Sequence, residues 1–139
     1  MMLGHYIAIK SCFNDNYLSL ANDSQIIFNQ KNINNCYILI MRYEGKYVTF
    51  QDRNKIKYLS YDAFGNCLEL NKDIPGESER FEIEWINEDL FALKAYNGFY
   101  ISVINNGNID VSKKNISINE KFSMTEQREE NLFEFLGFI

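Results

Sequence analysis

The chain has very little histidine, proline and tryptophan, with one residue of each among its 139. A single histidine, His5, gives no imidazole cluster for a metal ion and no close partner for a nucleophilic cysteine. The sequence also contains no GxxxxGK[ST], GxSxG or HExxH motif. Glu82 and Glu84 alternate outward beside Trp85, which is typical of a solubilising face. We therefore expect a protein that is not an enzyme and that holds no cofactor or metal.

Cysteine is also scarce, and its three residues, Cys12, Cys36 and Cys67, form no CxxC pair. An odd number leaves at least one thiol unpaired, as is usual in a reducing compartment. No apolar run approaches the ~18 residues that a membrane span needs, and residues 1–5 lack a signal-peptide pattern. These features predict a cytoplasmic protein without a membrane span.

Basic residues are outnumbered by acidic ones, 14 to 19, which gives a net charge of −5 and a pI near 4.9. Binding to a phosphate backbone requires a basic face, so nucleic acid is an unfavourable partner. Aromatic residues make up 15% of the chain and predict a packed core. The length fits a single domain.

What the sequence does contain is one pattern written three times, with a period of about 42 residues. Four landmarks keep the same order in each copy. The first landmark is 7–10, 48–51 and 91–94; the second is 17–20, 58–61 and 100–103; the third is 28–30, 70–72 and 111–113; the fourth is 37–39, 81–83 and 122–124. The landmarks alternate apolar and polar residues, which indicates strands.

Each copy therefore predicts four strands, with hairpin turns at residues 22–23, 65–66 and 107–108. Propellers typically need at least four blades, whereas three four-stranded units fit a β-trefoil, an all-β six-stranded barrel capped by three hairpins. We predict a single trefoil domain over residues 1–126, with units at about 5–43, 44–86 and 87–126. Residues 127–139 form a C-terminal tail.

The chain also resembles the fascin-like β-trefoil domains. The resemblance lies in the Tyr-Leu/Ile-Ser triplets at 17, 58 and 100, in residues 63–70, in the Asp-Ile-Pro-Gly turn at 73–76 and in residues 91–100. We expect the triplet serines to hydrogen-bond turn backbone. Fascins carry four such domains and bundle actin filaments, so the resemblance implies a protein-binding module with actin as the first candidate partner.

Positions that differ between the units are better candidates for function than positions that repeat. The second unit concentrates basic residues at Lys46, Arg53, Lys55 and Lys57, and the third has Lys113 and Lys114. These residues form either a surface that steers towards an acidic filament or a solvated hairpin. The corresponding loop of the first unit, residues 30–35, has one lysine, which argues against a filament contact of the fascin kind.

A glycan is the alternative partner, because sugar sites combine an aromatic platform with Asn, Asp or Gln. The Gln-x-Trp signature of ricin-type lectins is absent, but Tyr96 or Phe64 among Asn-rich loops offers one shallow pocket.

The tail offers a third possibility for function. Its apolar residues Leu132, Phe135, Leu136 and Ile139 have the spacing of one helix face. They pack either on the open end of their own barrel or on a partner, and that partner includes a second copy of the chain. We expect a monomer or a weak dimer.

Overall fold

The computed structural model describes residues 4–54 and 56–127, which fold into twelve strands joined by turns and four short 3₁₀ helices. The strands are β1 His5–Ser11, β2 Tyr17–Leu20, β3 Ile26–Gln30, β4 Leu39–Glu44, β5 Tyr47–Asp52, β6 Tyr58–Asp62, β7 Cys67–Lys72, β8 Phe81–Trp85, β9 Phe91–Lys94, β10 Tyr100–Val103, β11 Ile109–Lys113 and β12 Phe122–Gln127. The 3₁₀ helices are Ile33–Asn35, Glu77–Glu79, Asn105–Gly107 and Ile118–Glu120. Within these residues, no helix has the length and apolar character to cross a membrane.

Six of the strands close into a barrel. Antiparallel pairing runs from β1 to β4, β5, β8, β9 and β12, and β12 pairs again with β1. The other six strands form three hairpins, β2–β3, β6–β7 and β10–β11. A closed six-stranded barrel with three hairpins is a β-trefoil, so the predicted fold class and internal threefold repeat are confirmed.

The core lies inside the barrel and under the hairpins, where the inward faces of the three units meet. Four phenylalanines, Phe50, Phe81, Phe91 and Phe122, are almost completely buried. The Phe122 ring lies 5.4 Å from Phe28 and 5.9 Å from Phe91, measured between centroids, and so joins the first unit to the third. Most of the inward positions predicted from alternation are buried, and the exceptions are partly buried: Leu20, Tyr37, Ile83 and Met124.

The triplet serines show a contact that the sequence analysis did not predict. The Ser60 hydroxyl donates to Oε2 of the buried Glu79 at 2.7 Å, and the Ser102 hydroxyl donates to Oε2 of the buried Glu120 at 2.6 Å. The expectation that these serines bond turn backbone was therefore wrong in the second and third units. Each glutamate also accepts a backbone N–H through its other oxygen. This Ser–Glu bond fastens a 3₁₀ helix to the second strand of its unit.

Candidate ligand groove between the second and third units

A cavity of about 350 Å³ lies beside the β6–β7 hairpin, and we call it the hairpin cavity. Its walls come from β6, β7, the 3₁₀ helix Glu77–Glu79 and the turn between β9 and β10. The second and third units therefore meet there. The Ser60–Glu79 bond holds the 3₁₀ helix in position as one wall.

Three aromatic residues line this cavity: the buried Tyr61 and the exposed Phe64 and Tyr96. Phe64, at the tip of the β6–β7 hairpin, is fully exposed at 104% of its reference area, and Tyr96 is 41% exposed. Local chain geometry presents Phe64, because its backbone N–H donates to Asp62 Oδ1 and Asn66 adopts a left-handed φ of 49°. The Phe64 ring is therefore available to contact a ligand at this cavity.

A hydrogen-bond network fixes the Tyr96 ring and the hairpin behind it. The Tyr61 ring lies 5.8 Å from Tyr96, and its hydroxyl donates to Asn66 Oδ1 and accepts from Asn97. The Asn66 amide in turn donates to Asp110 of the third unit at 2.7 Å. Burial raises the pKa of Tyr61, so its hydroxyl remains a donor at neutral pH. The network therefore orders the part of the cavity that Tyr61 and Tyr96 line.

The opposite wall is polar. Asp62, Glu69, Asn71, Lys72 and Ser78 contribute carboxylate, amide, ammonium and hydroxyl groups. The Asn71 amide donates to Glu69 at 3.0 Å, which positions that carboxylate. The cavity thus offers both donors and acceptors to a ligand that contacts the aromatic rings.

Part of this wall groups possible metal ligands, since donor atoms of Asp62, Cys67 and Glu69 lie within 4.8 Å of one another. However, burial and the nearby Glu69 carboxylate raise the pKa of Cys67 to about 11. A free thiol with this pKa keeps its proton at neutral pH. It donates that proton to Glu69 at 3.4 Å. We assign this cluster a structural role.

A second cavity, of about 320 Å³, lies against the barrel strands on the other side of Tyr96, and we call it the strand cavity. Its charged lining residues are Glu77, Arg80, Glu82 and Lys94. Most of these charges are paired: Glu82 contacts Lys46 at 3.1 Å and Lys94 at 3.5 Å, Lys94 reaches Glu84 at 3.3 Å, and Arg80 Nε lies 3.1 Å from Glu44. The Lys46 ammonium beside Glu82 lowers the pKa of that carboxyl, and Lys94 lowers it further by a smaller amount.

The basic residues predicted as a partner surface do not form one patch. Lys46 lies in the β4–β5 turn, at the start of β5, whereas Arg53 and Lys57 follow the end of that strand. A six-residue strand is about 20 Å long, and this length separates Lys46 from the other two residues. Lys46 is paired with Glu82 and Lys57 with Asp73, which neutralises two of the positive charges. Lys55 lies outside the described residues.

The remaining predicted residues lie elsewhere. Lys113 and Lys114 are exposed at the end of β11, and the Lys114 ammonium lies 5.8 Å from the Phe99 ring centroid. The predicted tail residues lie outside the described part of the chain: Leu132, Phe135, Leu136 and Ile139.

Sequence reasoning named Phe64 and Tyr96 as separate possibilities, and the structure brings them to one cavity. The sequence analysis did not identify Ser78, Arg80 or Lys94 as residues that line a cavity. A comparison of the repeats carries a signal for Ser78, because the third unit has Asn119 at the corresponding position of its 3₁₀ helix.

The closed barrel and its three hairpins define a β-trefoil, and two cavities lie at the junction between its second and third units. The chain matches no model of a known protein family and no curated protein sequence. Its fold is similar to that of ThreeFoil, a designed threefold-symmetric protein, with a TM-score of 0.75 at 12% identity over 88% of this chain and 99% of that one.

Two natural proteins share the fold with similar TM-scores and sequence identities. One is an endo-β-galactosidase from Clostridium perfringens that releases GlcNAcα1-4Gal, with a TM-score of 0.73 at 14% identity over 91% of this chain and 33% of that one. The other is a salivary protein of the cysteine- and tryptophan-rich family from Culex quiquefasciatus, with a TM-score of 0.70 at 12% identity over 91% and 96%. The TM-scores establish the β-trefoil fold, and at identities this low they establish nothing beyond the fold.

Proposed function

We propose that this protein is a non-catalytic carbohydrate-binding β-trefoil and that the hairpin cavity is its sugar site. The observation that carries the proposal is the fully exposed Phe64 ring beside Tyr96, at a cavity whose other wall is polar. A sugar ring has one apolar C–H face and a rim of hydroxyl groups, and this cavity supplies a surface for each.

The energetic argument has two parts. Contact between a sugar face and the exposed rings removes apolar surface from water, and that contact is favourable. The network from Tyr61 through Asn66 to Asp110 already orders the Tyr61 side of the cavity, so these side chains lose little further freedom on binding. The cavity volume also falls within the range of small-ligand sites.

The charges of the cavity indicate which sugars fit. Asp62 and Glu69 oppose only Lys72, so the lining is on balance acidic. Acidic sugars would be repelled, whereas neutral hydroxyl groups bond to carboxylates and ammonium alike. The similarity to the galactosidase adds limited support, because the shared trefoil is about a third of an enzyme that acts on a glycan.

The test is a glycan array that includes neutral and acidic glycans, followed by titration calorimetry of the strongest neutral binder. We expect Phe64→Ala to weaken binding about tenfold, consistent with the loss of one aromatic contact. The matched control is Phe13→Ala, which removes an exposed ring from the β1–β2 turn of the first unit. A blank array, or equal affinities for the Phe64→Ala variant and the unmodified chain, would contradict the proposal.

A protein partner is the second candidate, with the actin filament first among such partners because of the fascin-like resemblance. It is favoured by the exposed Arg53 and Lys113, neither of which forms a salt bridge with another described residue. Rim charges of this kind act through steering and weaken with salt. Co-sedimentation with filaments at ~50 mM salt tests the candidate, and a protein left in the supernatant rules it out.

A further inference from the structure

The hairpin cavity and the strand cavity share two walls. Tyr96 lines both cavities. Of two consecutive residues in one 3₁₀ helix, Ser78 lines the hairpin cavity and Glu77 lines the strand cavity. The two cavities therefore adjoin each other across Tyr96, with the 3₁₀ helix running along both.

We infer that the two cavities form one continuous groove for a linear, uncharged oligosaccharide, with a sugar unit in each cavity and Tyr96 between them. The inference rests on the proposed carbohydrate-binding function and specifies the class of ligand. A single sugar fills only one cavity, so the groove selects for chain length.

The strand cavity has the features of a second sugar subsite. Tyr47 is 38% exposed there and provides another ring, at the edge of the barrel. Arg80 bonds Glu44 through Nε, which leaves the other guanidinium N–H groups available to donate to hydroxyls. The cavity lining carries two acidic and two basic residues, Glu77 and Glu82 with Arg80 and Lys94, so its charges balance. An uncharged sugar suits this cavity as well as the hairpin cavity.

The divider between the cavities is rigid. Tyr96 lies in a tight turn in which Ala95 N–H donates to Phe99 O and Gly98 N–H donates back to Ala95 O, each at 2.8–2.9 Å. Gly98 has a φ of 87°, a left-handed value that other residues rarely adopt. The Tyr61 ring, which also lines the hairpin cavity, packs against Tyr96 at 5.8 Å between centroids. A fixed ring between two cavities constrains a bound chain to pass over it.

The experiment uses oligomers of one to six units of the neutral sugar type that binds best on the array, each titrated against the full chain by calorimetry. We expect affinity to increase at least tenfold from the single sugar to the length that fills both cavities, and then to stay constant. Tyr47→Ala should reduce the affinity for long oligomers towards that for the single sugar and leave the single sugar unaffected. Phe64→Ala should weaken both, and Phe13→Ala neither.

A second variant guards against a folding defect in Tyr47→Ala, since Tyr47 belongs to a barrel strand. Glu77 is exposed, so Glu77→Trp should block the strand cavity without disturbing the core and should give the same length-dependent loss. If affinity is independent of chain length, or if both strand-cavity variants weaken short and long oligomers equally, the inference is overturned while the proposed function stands. A blank array overturns both.

Discussion

The junction between the second and third units and the junction between the third and first units are built alike but differ at single residues. Both contain the same buried bond, Ser60 to Glu79 in one and Ser102 to Glu120 in the other, with nearly equal lengths of 2.7 and 2.6 Å. Both place a lysine over a tyrosine ring, Lys94 over Tyr100 and Lys10 over Tyr17. These two junctions therefore share one buried hydrogen bond and one lysine–aromatic contact.

The differences are single residues. Where the second unit has Ser78, the third has Asn119, whose amide donates to the backbone oxygen of Val103 at 2.9 Å. Where Lys94 pairs across strands with Glu82, Lys10 pairs with Ser123. The short Ser78 side chain lines the hairpin cavity, whereas the longer Asn119 side chain reaches the backbone of β10 in its own unit.

The largest effect on stability should come from removing the buried Ser–Glu hydrogen bond that the two junctions share. Glu79→Ala and Glu120→Ala each leave a buried serine hydroxyl and a backbone N–H without their acceptor, so each should lower the free energy of unfolding by about 1–3 kcal/mol. Urea unfolding of both variants measures this.

The first unit provides the control, because its 3₁₀ helix ends in the exposed Asn35 instead of a buried glutamate. Asn35→Ala should change stability by less than about 0.5 kcal/mol. Equal losses in all three variants would show that the Ser–Glu bond is not the stabilising element of the two junctions.

The sequence was sufficient to predict the fold because threefold repetition of strands and turns is a local pattern. Alternation in residues such as Val48 and Phe50 identifies the inward face, and Asn and Gly residues identify the turns. The buried bond between Ser60 and Glu79 was not predicted, since alternation does not show that a charged residue 19 positions away turns inward. Only three-dimensional packing brings that carboxyl beneath the triplet.

The groove was predictable only in fragments. Phe64 and Tyr96 were each identified as possible platforms, but their common cavity depends on how β9 pairs with β8 and on the support of Tyr61. The basic hairpin failed as a single patch for a related reason. Neighbours in sequence, Lys46 and Arg53, lie at opposite ends of one strand, and the acidic partner of Lys46 comes from β8.

A smaller effect should follow from giving the second unit the residue that the third unit has at this position. Ser78→Asn places the amide of the third unit in the hairpin cavity and should weaken sugar binding about tenfold, because the cavity is partly filled. Stability should be unchanged or slightly greater. Calorimetry with the best neutral glycan and thermal unfolding measure the two quantities. The reverse change, Asn119→Ser, should cost about 1 kcal/mol of stability and leave sugar binding as it was. Unaltered binding by Ser78→Asn would show that the ligand does not enter this cavity.

The smallest effect should come from Glu82, which lines the strand cavity in place of the Ser123 of the other junction. The pKa of Glu82 is lowered in the folded chain, mainly by Lys46. The carboxylate therefore stabilises the fold at pH values above its unfolded pKa of about 4.3. This contribution is lost as the pH falls through the lower pKa of the folded chain. Glu82→Gln should therefore lower the unfolding midpoint at pH 7 by no more than about 5 °C, since exposed ion pairs contribute little. The difference from the unmodified chain should disappear at pH values below the folded pKa. Glu88→Gln, in the exposed β8–β9 turn, removes a carboxylate that has no salt bridge to another described residue and should leave the midpoint at pH 7 unchanged. A difference for Glu82→Gln that persists undiminished in acid would contradict the assignment.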